Sequence, residues 1–291
     1  MNVILYIIIF IMGSVFGSFL TLATYRIPLN EDITHKHSYC PKCNHKLSFL
    51  DMVPILSYLF IGGKCRYCKA KISPRYFIIE ILCGISFVLL AIMLSVNVYT
   101  LNINTILNFI LGALYIVFLF LIAGIDKEHH YIDKRVLVYG IIVIFLYLIY
   151  EFIYNTVFNI NRVIIYFVII MIVLIINTFE IKKKGKDSYA INIILLCIIM
   201  ALFNYETITI ISIAMTLIIV AINKIINSIT KKKENAQLPI AFYLCISNCI
   251  VMFLTNIILS IKWYIFIDWL IVNLYNINIV KNVERNNDEK H

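Results

Sequence analysis

A chain of 291 residues that is 62% hydrophobic and only 14% charged has too little polar surface to cover itself, which excludes an ordinary soluble domain. Its apolar residues come in blocks of the roughly 20 residues a helix needs to cross a bilayer, without the period-two alternation of barrel strands. The net charge of +9 falls on alternate loops, the pattern of one side of a membrane, which argues against a nucleic-acid partner.

In chain order the expected spans are 3–24, 76–95, 104–125, 136–154, 161–179, 190–203, 206–226 and 239–260. A further run, 263–280, is either another span or an interfacial helix; it and 190–203 are marginal in length. The expected fold class is an all-α polytopic membrane protein of about eight transmembrane helices, nine if 263–280 crosses. The first run has no basic start and no small-residue cleavage site behind it, so it reads as a permanent span rather than a secretion signal. Of the 25 basic residues, 23 fall on alternate connections, and only Arg162 and Lys262 fall on the others. That bias places the basic loops in the cytoplasm, against the anionic lipid of the inner membrane. The expected division is a first helix at 1–24, a cytoplasmic loop module at 25–75, a helical bundle at 76–280 and a mobile Asn/Lys-rich tail at 281–291.

The loop module carries CPKC at 40–43 and CRYC at 65–68, with 21 residues between them. Four thiolates so spaced suit the tetrahedral shell of a structural Zn2+, so Cys40, Cys43, Cys65 and Cys68 are the expected metal ligands. A reducing cytoplasm makes disulfides the poorer account. Lys42, Lys64 and Lys69 beside the pairs ease the accumulation of thiolate charge. His35, His37 and His45 are spare ligand types, but the cysteines already complete the set. Cys83, Cys197, Cys245 and Cys249 lie in apolar runs and read as small packing residues.

Asp126 stands where the apolar run 104–125 stops, and Asp187 follows KKKGK just before the run at 190–203. On neighbouring helices at one depth, the two carboxylates could share a proton and work as base and acid. Position alone leaves the plainer readings open: a boundary aspartate in water, and an aspartate at a helix N-terminus. Glu80, inside the second expected span, is a functional candidate by depth but reads better as a structural hydrogen-bond partner for the loop.

Taken together, GSFLTLATYRIP at 17–28, CPKC, LDMVPILSYLFIGGKCRYCKAKISPRYFIIE at 50–80 and Asp126 resemble the type IV prepilin peptidases, the A24 aspartic proteases. The resemblance implies a cytoplasm-facing active site that cuts the basic leader of prepilins or pseudopilins after a glycine, with two aspartates and no metal in that step. It also implies, for many members, S-adenosylmethionine-dependent methylation of the new N-terminus; no glycine-rich nucleotide pattern identifies that pocket here. Carried over by position, the catalytic pair is Asp126 and Asp187. DKEHHYIDK lacks the family's proline before its final aspartate, which leaves Asp133 the weaker candidate. GKDSYA lacks one of the family's glycines and the basic residue two places after the aspartate, and QLPIAFYL is a worn form of the last helix's opening. A catalytically degenerate paralogue, acting as a zinc-ribbon scaffold or prepilin-binding protein, is the alternative.

Overall fold

The computed structural model describes residues 2–33, 37–99, 101–154, 158–184, 188–204, 206–229 and 238–254. They form helices α1 (Asn2–Arg26), α2 (Leu56–Phe60), α3 (Pro74–Met93), α4 (Ile103–His129), α5 (Lys134–Tyr154), α6 (Ile160–Lys184), α7 (Tyr189–Asn204), α8 (Glu206–Ile229) and α9 (Ile240–Leu254). Six of these, α1, α3, α4, α5, α6 and α8, are long and apolar enough to cross a membrane, while α7 and α9 are shorter apolar helices. The chain is therefore an all-α, multi-pass membrane protein, with helices at each of the eight expected places. The 263–280 run and the 281–291 tail lie outside the described residues. Residues Met1–Val251 form one compact unit, and only 252–254 are described in the second, Met252–His291.

Small residues decide how α1 meets α3. A Cβ on Gly13 would stand 2.9 Å from the Cys83 carbonyl oxygen and the Gly84 Cα, and one on Gly17 2.8 Å from the Glu80 Cα. Lipid supplies no hydrophobic drive between helices, so this backbone-to-backbone approach is what makes the contact tight. At one end of the pair, Tyr6 donates to the Val96 carbonyl at 3.1 Å and Asn2 accepts from the Val98 N–H at 3.3 Å. At the other, Arg75 donates to Thr24 at 3.1 Å and pairs with Glu128 near the end of α4. The end of α1, the start of α3 and the end of α4 thus lie at one level.

Helix α4 is central: 61% of its apolar stretch is buried, against 6% for α6, which turns its sides outward. Tyr115, Phe118, Ile122 and Ile125 of α4 are almost wholly enclosed, as are Leu196, Ile199 and Met200 of α7. Tyr115 stacks on Phe203 with ring centres 3.9 Å apart. Its hydroxyl donates to Asn248 Oδ1 at 2.9 Å and accepts from Asn204 Nδ2 at 3.1 Å. Asn248 in turn donates to Ser212 Oγ at 3.4 Å. Four helices, α4, α7, α8 and α9, are joined by this polar cluster. Inside a membrane each such bond contributes roughly 0.6 kcal/mol, and an unmet partner would cost more.

Candidate active site and metal centre

The apolar run ends at Ile125, but the helix does not. Lys127, Glu128 and His129 carry α4 one more turn, until His130 adopts φ 54° and its N–H closes on the Asp126 carbonyl at 3.0 Å. Asp126 is thus an internal residue of α4 rather than a boundary one, and it is 0% exposed. Its Oδ1 accepts from the Tyr189 hydroxyl at 2.8 Å, and its Oδ2 accepts from the Phe242 N–H at 2.9 Å. The Ala241 N–H meets the same tyrosine oxygen at 3.2 Å. A carboxylate from α4 therefore caps the start of α9, whose first N–H groups have no partner of their own and carry partial positive charge. Lys127 lies 4.8 Å from the centre of the Phe242 ring, a cation over the same helix end.

Asp187 lies outside the described residues. Tyr189, two positions along and at the head of α7, is the residue of the GKDSYA stretch whose contact with Asp126 is seen. Sequence reasoning did not single it out. The signal was its place, since it occupies the position where the family pattern carries a basic side chain. Asp133 does not join the site. Its carboxylate takes the Arg135 N–H at 2.8 Å, Nε at 3.0 Å and Nη2 at 2.7 Å, capping α5. Burial alone would raise its pKa, but the Arg135 guanidinium and N–H outweigh that and hold it below the ordinary carboxylate range.

Glu80 meets the loop as expected, accepting the Ile55 N–H at 2.7 Å. Ile55 is the centre of a tight γ-turn, with φ 63°, ψ −56° and the Leu56 N–H 2.6 Å from the Pro54 carbonyl. A β-branched residue rarely occupies that region, so the buried glutamate holds a strained backbone in place.

The cysteine module is built from two matching knuckles. Cys40 N–H bonds the His45 carbonyl at 3.0 Å and Asn44 N–H returns to Cys40 at 2.8 Å; Cys65 and Ala70, then Lys69 and Cys65, repeat this at 2.8 and 3.0 Å. Asn44 and Lys69, each directly after the second cysteine of its pair, both take φ near +57° (56° and 58°) to turn the chain back. The sulfurs of Cys40, Cys43, Cys65 and Cys68 all lie within 4.8 Å of one another. Zinc–sulfur bonds of about 2.3 Å ask for sulfurs slightly closer than 4 Å, and Cys40 and Cys68 already stand 3.9 Å apart. Donor type, number and spacing fit a tetrahedral metal. Backbone N–H groups of Cys68 and Tyr67 directed at Cys65 lower its thiol pKa to about 7, which favours the thiolate a metal requires. Cys43 moves the other way: the His45 N–H lowers it, but burial and the neighbouring sulfurs of Cys68 and Cys40 prevail and push it up.

Between the knuckles, the end of α1 and the start of α3 lies a cavity of about 580 Å³, lined by Ser18, Tyr25, Tyr39, Lys71, Tyr76 and Glu80 among others. Asp126 is not part of its wall. Arg26, 2% exposed, ties the chain leaving α1 to this module through the Asp32 and His37 carbonyls at 3.0 and 3.1 Å.

A family model described as the bacterial peptidase A24 N-terminal domain matches residues 11–94. Among curated proteins, the chain is similar to the prepilin leader peptidase/N-methyltransferase of Vibrio cholerae serotype O1, 39% identical over 121 residues, 38% of this chain and 45% of that protein. Proteins of the same description from Klebsiella pneumoniae and Bacillus subtilis are 30% and 32% identical over 41% and 45% of this chain, and 51% and 50% of their own lengths. The chain thus matches about half the length of these relatives. No solved structure matches it. Residues 11–94 thus match the bacterial peptidase A24 N-terminal domain, and the chain is similar to prepilin leader peptidases over about half of their length.

Proposed function

We propose that this chain is an integral-membrane aspartic endopeptidase that removes the leader of prepilins or pseudopilins after a glycine, with Asp126 and Asp187 as its catalytic pair. The observation that carries this reading is the bond from Tyr189 to Asp126. Asp187 is two residues before Tyr189, at most about 7 Å of extended chain. A hydroxyl that touches Asp126 therefore tethers the second motif to the first. In the proposed reaction one carboxylate takes a proton from water as its oxygen attacks the scissile carbonyl, and the other delivers a proton to the carbonyl oxygen. The intermediate then collapses with proton transfer to the departing amine. The Phe242 N–H at Asp126 would hold that carboxylate in one orientation throughout.

In this reading the ribbon end of the bundle faces the cytoplasm, as the charge distribution implies, and the basic leader approaches from there. The 25–75 module would hold a structural Zn2+ on Cys40, Cys43, Cys65 and Cys68, and 76–280 would form the peptidase bundle. The word N-methyltransferase in the relatives' names supports methyl transfer as a second activity, and the sequence resemblance adds the cut N-terminus as its acceptor and S-adenosylmethionine as its donor.

A second reading has its own observation. Both Asp126 oxygens are occupied and the residue is fully enclosed, which also describes a carboxylate that only caps a helix. In that case the chain is a degenerate paralogue that binds prepilins without cutting them. Co-expression with a cognate prepilin, followed by mass spectrometry of the pilin N-terminus, separates the two. Wild type should yield trimmed pilin, and Asp126→Asn and Asp187→Asn only the full-length form. Untrimmed pilin with wild type as well would favour the paralogue.

A further inference from the structure

The 25–75 module reads from its sequence as a cytoplasmic loop, yet one stretch of it has the surface of something else. Phe49 and Leu50 of the 3-10 turn Phe49–Asp51 are 79% and 64% exposed, and Leu56, Leu59 and Phe60 of α2 are 51%, 58% and 84% exposed. Five large apolar side chains within twelve residues, all turned outward, form a patch that water does not favour.

The depth of this stretch follows from its bond to Glu80 and from the place of Glu80 on α3 and against α1. Ile55, between the 3-10 turn and α2, gives its N–H to Glu80 at 2.7 Å. Glu80 is six residues into α3 from Pro74, about 9 Å along the axis at 1.5 Å per residue. The backbone of Glu80 also packs on Gly17, nine residues before Arg26 at the end of α1, about 14 Å by the same measure. The 20 residues of α3 are about 30 Å long, the thickness of the hydrocarbon core, so its first residue stands near the core's edge. A segment bonded to Glu80 is therefore drawn below that edge. Tyr58 of α2 adds a second tie, stacking on Phe77 of α3 with ring centres 5.1 Å apart.

We propose that residues 49–60 form an interfacial re-entrant segment, a 3-10 turn and a short helix whose Phe49, Leu50, Leu56, Leu59 and Phe60 enter the lipid of the ribbon-side leaflet. The occupant of the apolar patch is the acyl-chain boundary of the bilayer, continuous with the lipid around α1 and α3. Irregular backbone at membrane depth must be satisfied by protein, and the strained turn at Ile55 is so satisfied by Glu80. Exposed Lys64 and Lys71, paired across the knuckle that follows Phe60, suit the anionic headgroup level. The knuckles are thereby anchored to the membrane by their own linker as well as by α1 and α3. This assignment does not depend on any peptidase activity.

The test uses full-length protein in nanodiscs, with Trp263 and Trp269 replaced by phenylalanine and one reporter introduced as Phe60→Trp, Leu59→Trp or, as a water-facing control, Lys46→Trp. Bromine placed on the upper acyl chain should quench the first two reporters several-fold more than the control, and aqueous iodide should do the reverse. Far-ultraviolet circular dichroism identifies any variant that fails to fold, and two reporter sites keep the test open if one does. Reporters at 59 and 60 that are quenched by iodide and not by brominated lipid would overturn the assignment. So would reporters shielded from both quenchers, which would mean that a protein partner or a second copy covers the patch.

Discussion

The Tyr189 hydroxyl and the Asp126 carboxylate meet at 2.8 Å, joining the head of α7 to the last full turn of α4. The same oxygen of Tyr189 takes the Ala241 N–H, so one phenol links three helices at the carboxylate. Tyr189→Phe removes both bonds without changing the ring. A hydrogen bond to a charged group contributes about 1.5 kcal/mol or more. If the peptidase reading holds, kcat for prepilin cleavage should fall by about tenfold with KM little changed, because the loss is in holding the carboxylate rather than in binding substrate. Single-turnover cleavage kinetics check this.

Asp133 predicts the opposite phenotype. Its carboxylate serves Arg135 and the start of α5, so Asp133→Asn should leave cleavage intact and destabilise the bundle by about 1 kcal/mol at neutral pH. The sign of the pH dependence follows from its lowered pKa. The stabilisation is complete above the unfolded carboxylate value of about 3.9 and is lost as pH falls through the lower folded value. Thermal melts of wild type and variant should therefore differ at pH 7 and converge in strong acid.

Glu80 and Ile55 should behave as a coupled pair. Glu80→Leu leaves the Ile55 N–H without its acceptor at membrane depth and should cost about 1–3 kcal/mol. Ile55→Gly relieves the positive φ and should be tolerated, with a melting temperature at or above that of wild type. A marked loss of stability in Ile55→Gly would contradict the account of strain at this turn.

Metal removal is the test of the knuckles. Purified protein should contain one zinc per chain, and Cys40→Ser, Cys43→Ser, Cys65→Ser and Cys68→Ser should each lower that content. Acidification should release the metal, because protons compete for the thiolates. Chelation should open the 25–75 module to protease while the helical signal of the bundle persists. Metal well below one per chain in reducing buffer would refute the site.

Much of this was legible in the chain because membranes impose simple rules. Runs of apolar residues long enough to span located the helices, and the Cys-x-x-Cys pairs foretold the sulfur cluster. Glu80, a lone acid in the second span, pointed to a bond toward the loop, and Ile55 supplies it. What the chain did not disclose depends on which distant segments meet. That α9 would begin at Asp126, and that Tyr189 would reach it, requires α4, α7 and α9 to be packed together. The extra turn of α4 beyond Asp126 was hidden because Lys127, Glu128 and His129 end the apolar run without ending the helix. Composition likewise could not separate α4, enclosed by its neighbours, from α6, which is as apolar but turned outward.

The most direct measurement is the single-turnover cleavage rate of a cognate prepilin by wild type, Asp126→Asn, Asp187→Asn and the double variant. Two acids that act as one unit are non-additive, so each single variant should lose as much as the double, on the order of a thousandfold or more. Single variants that cut at the wild-type rate, or losses that simply multiply in the double, would contradict a shared catalytic pair.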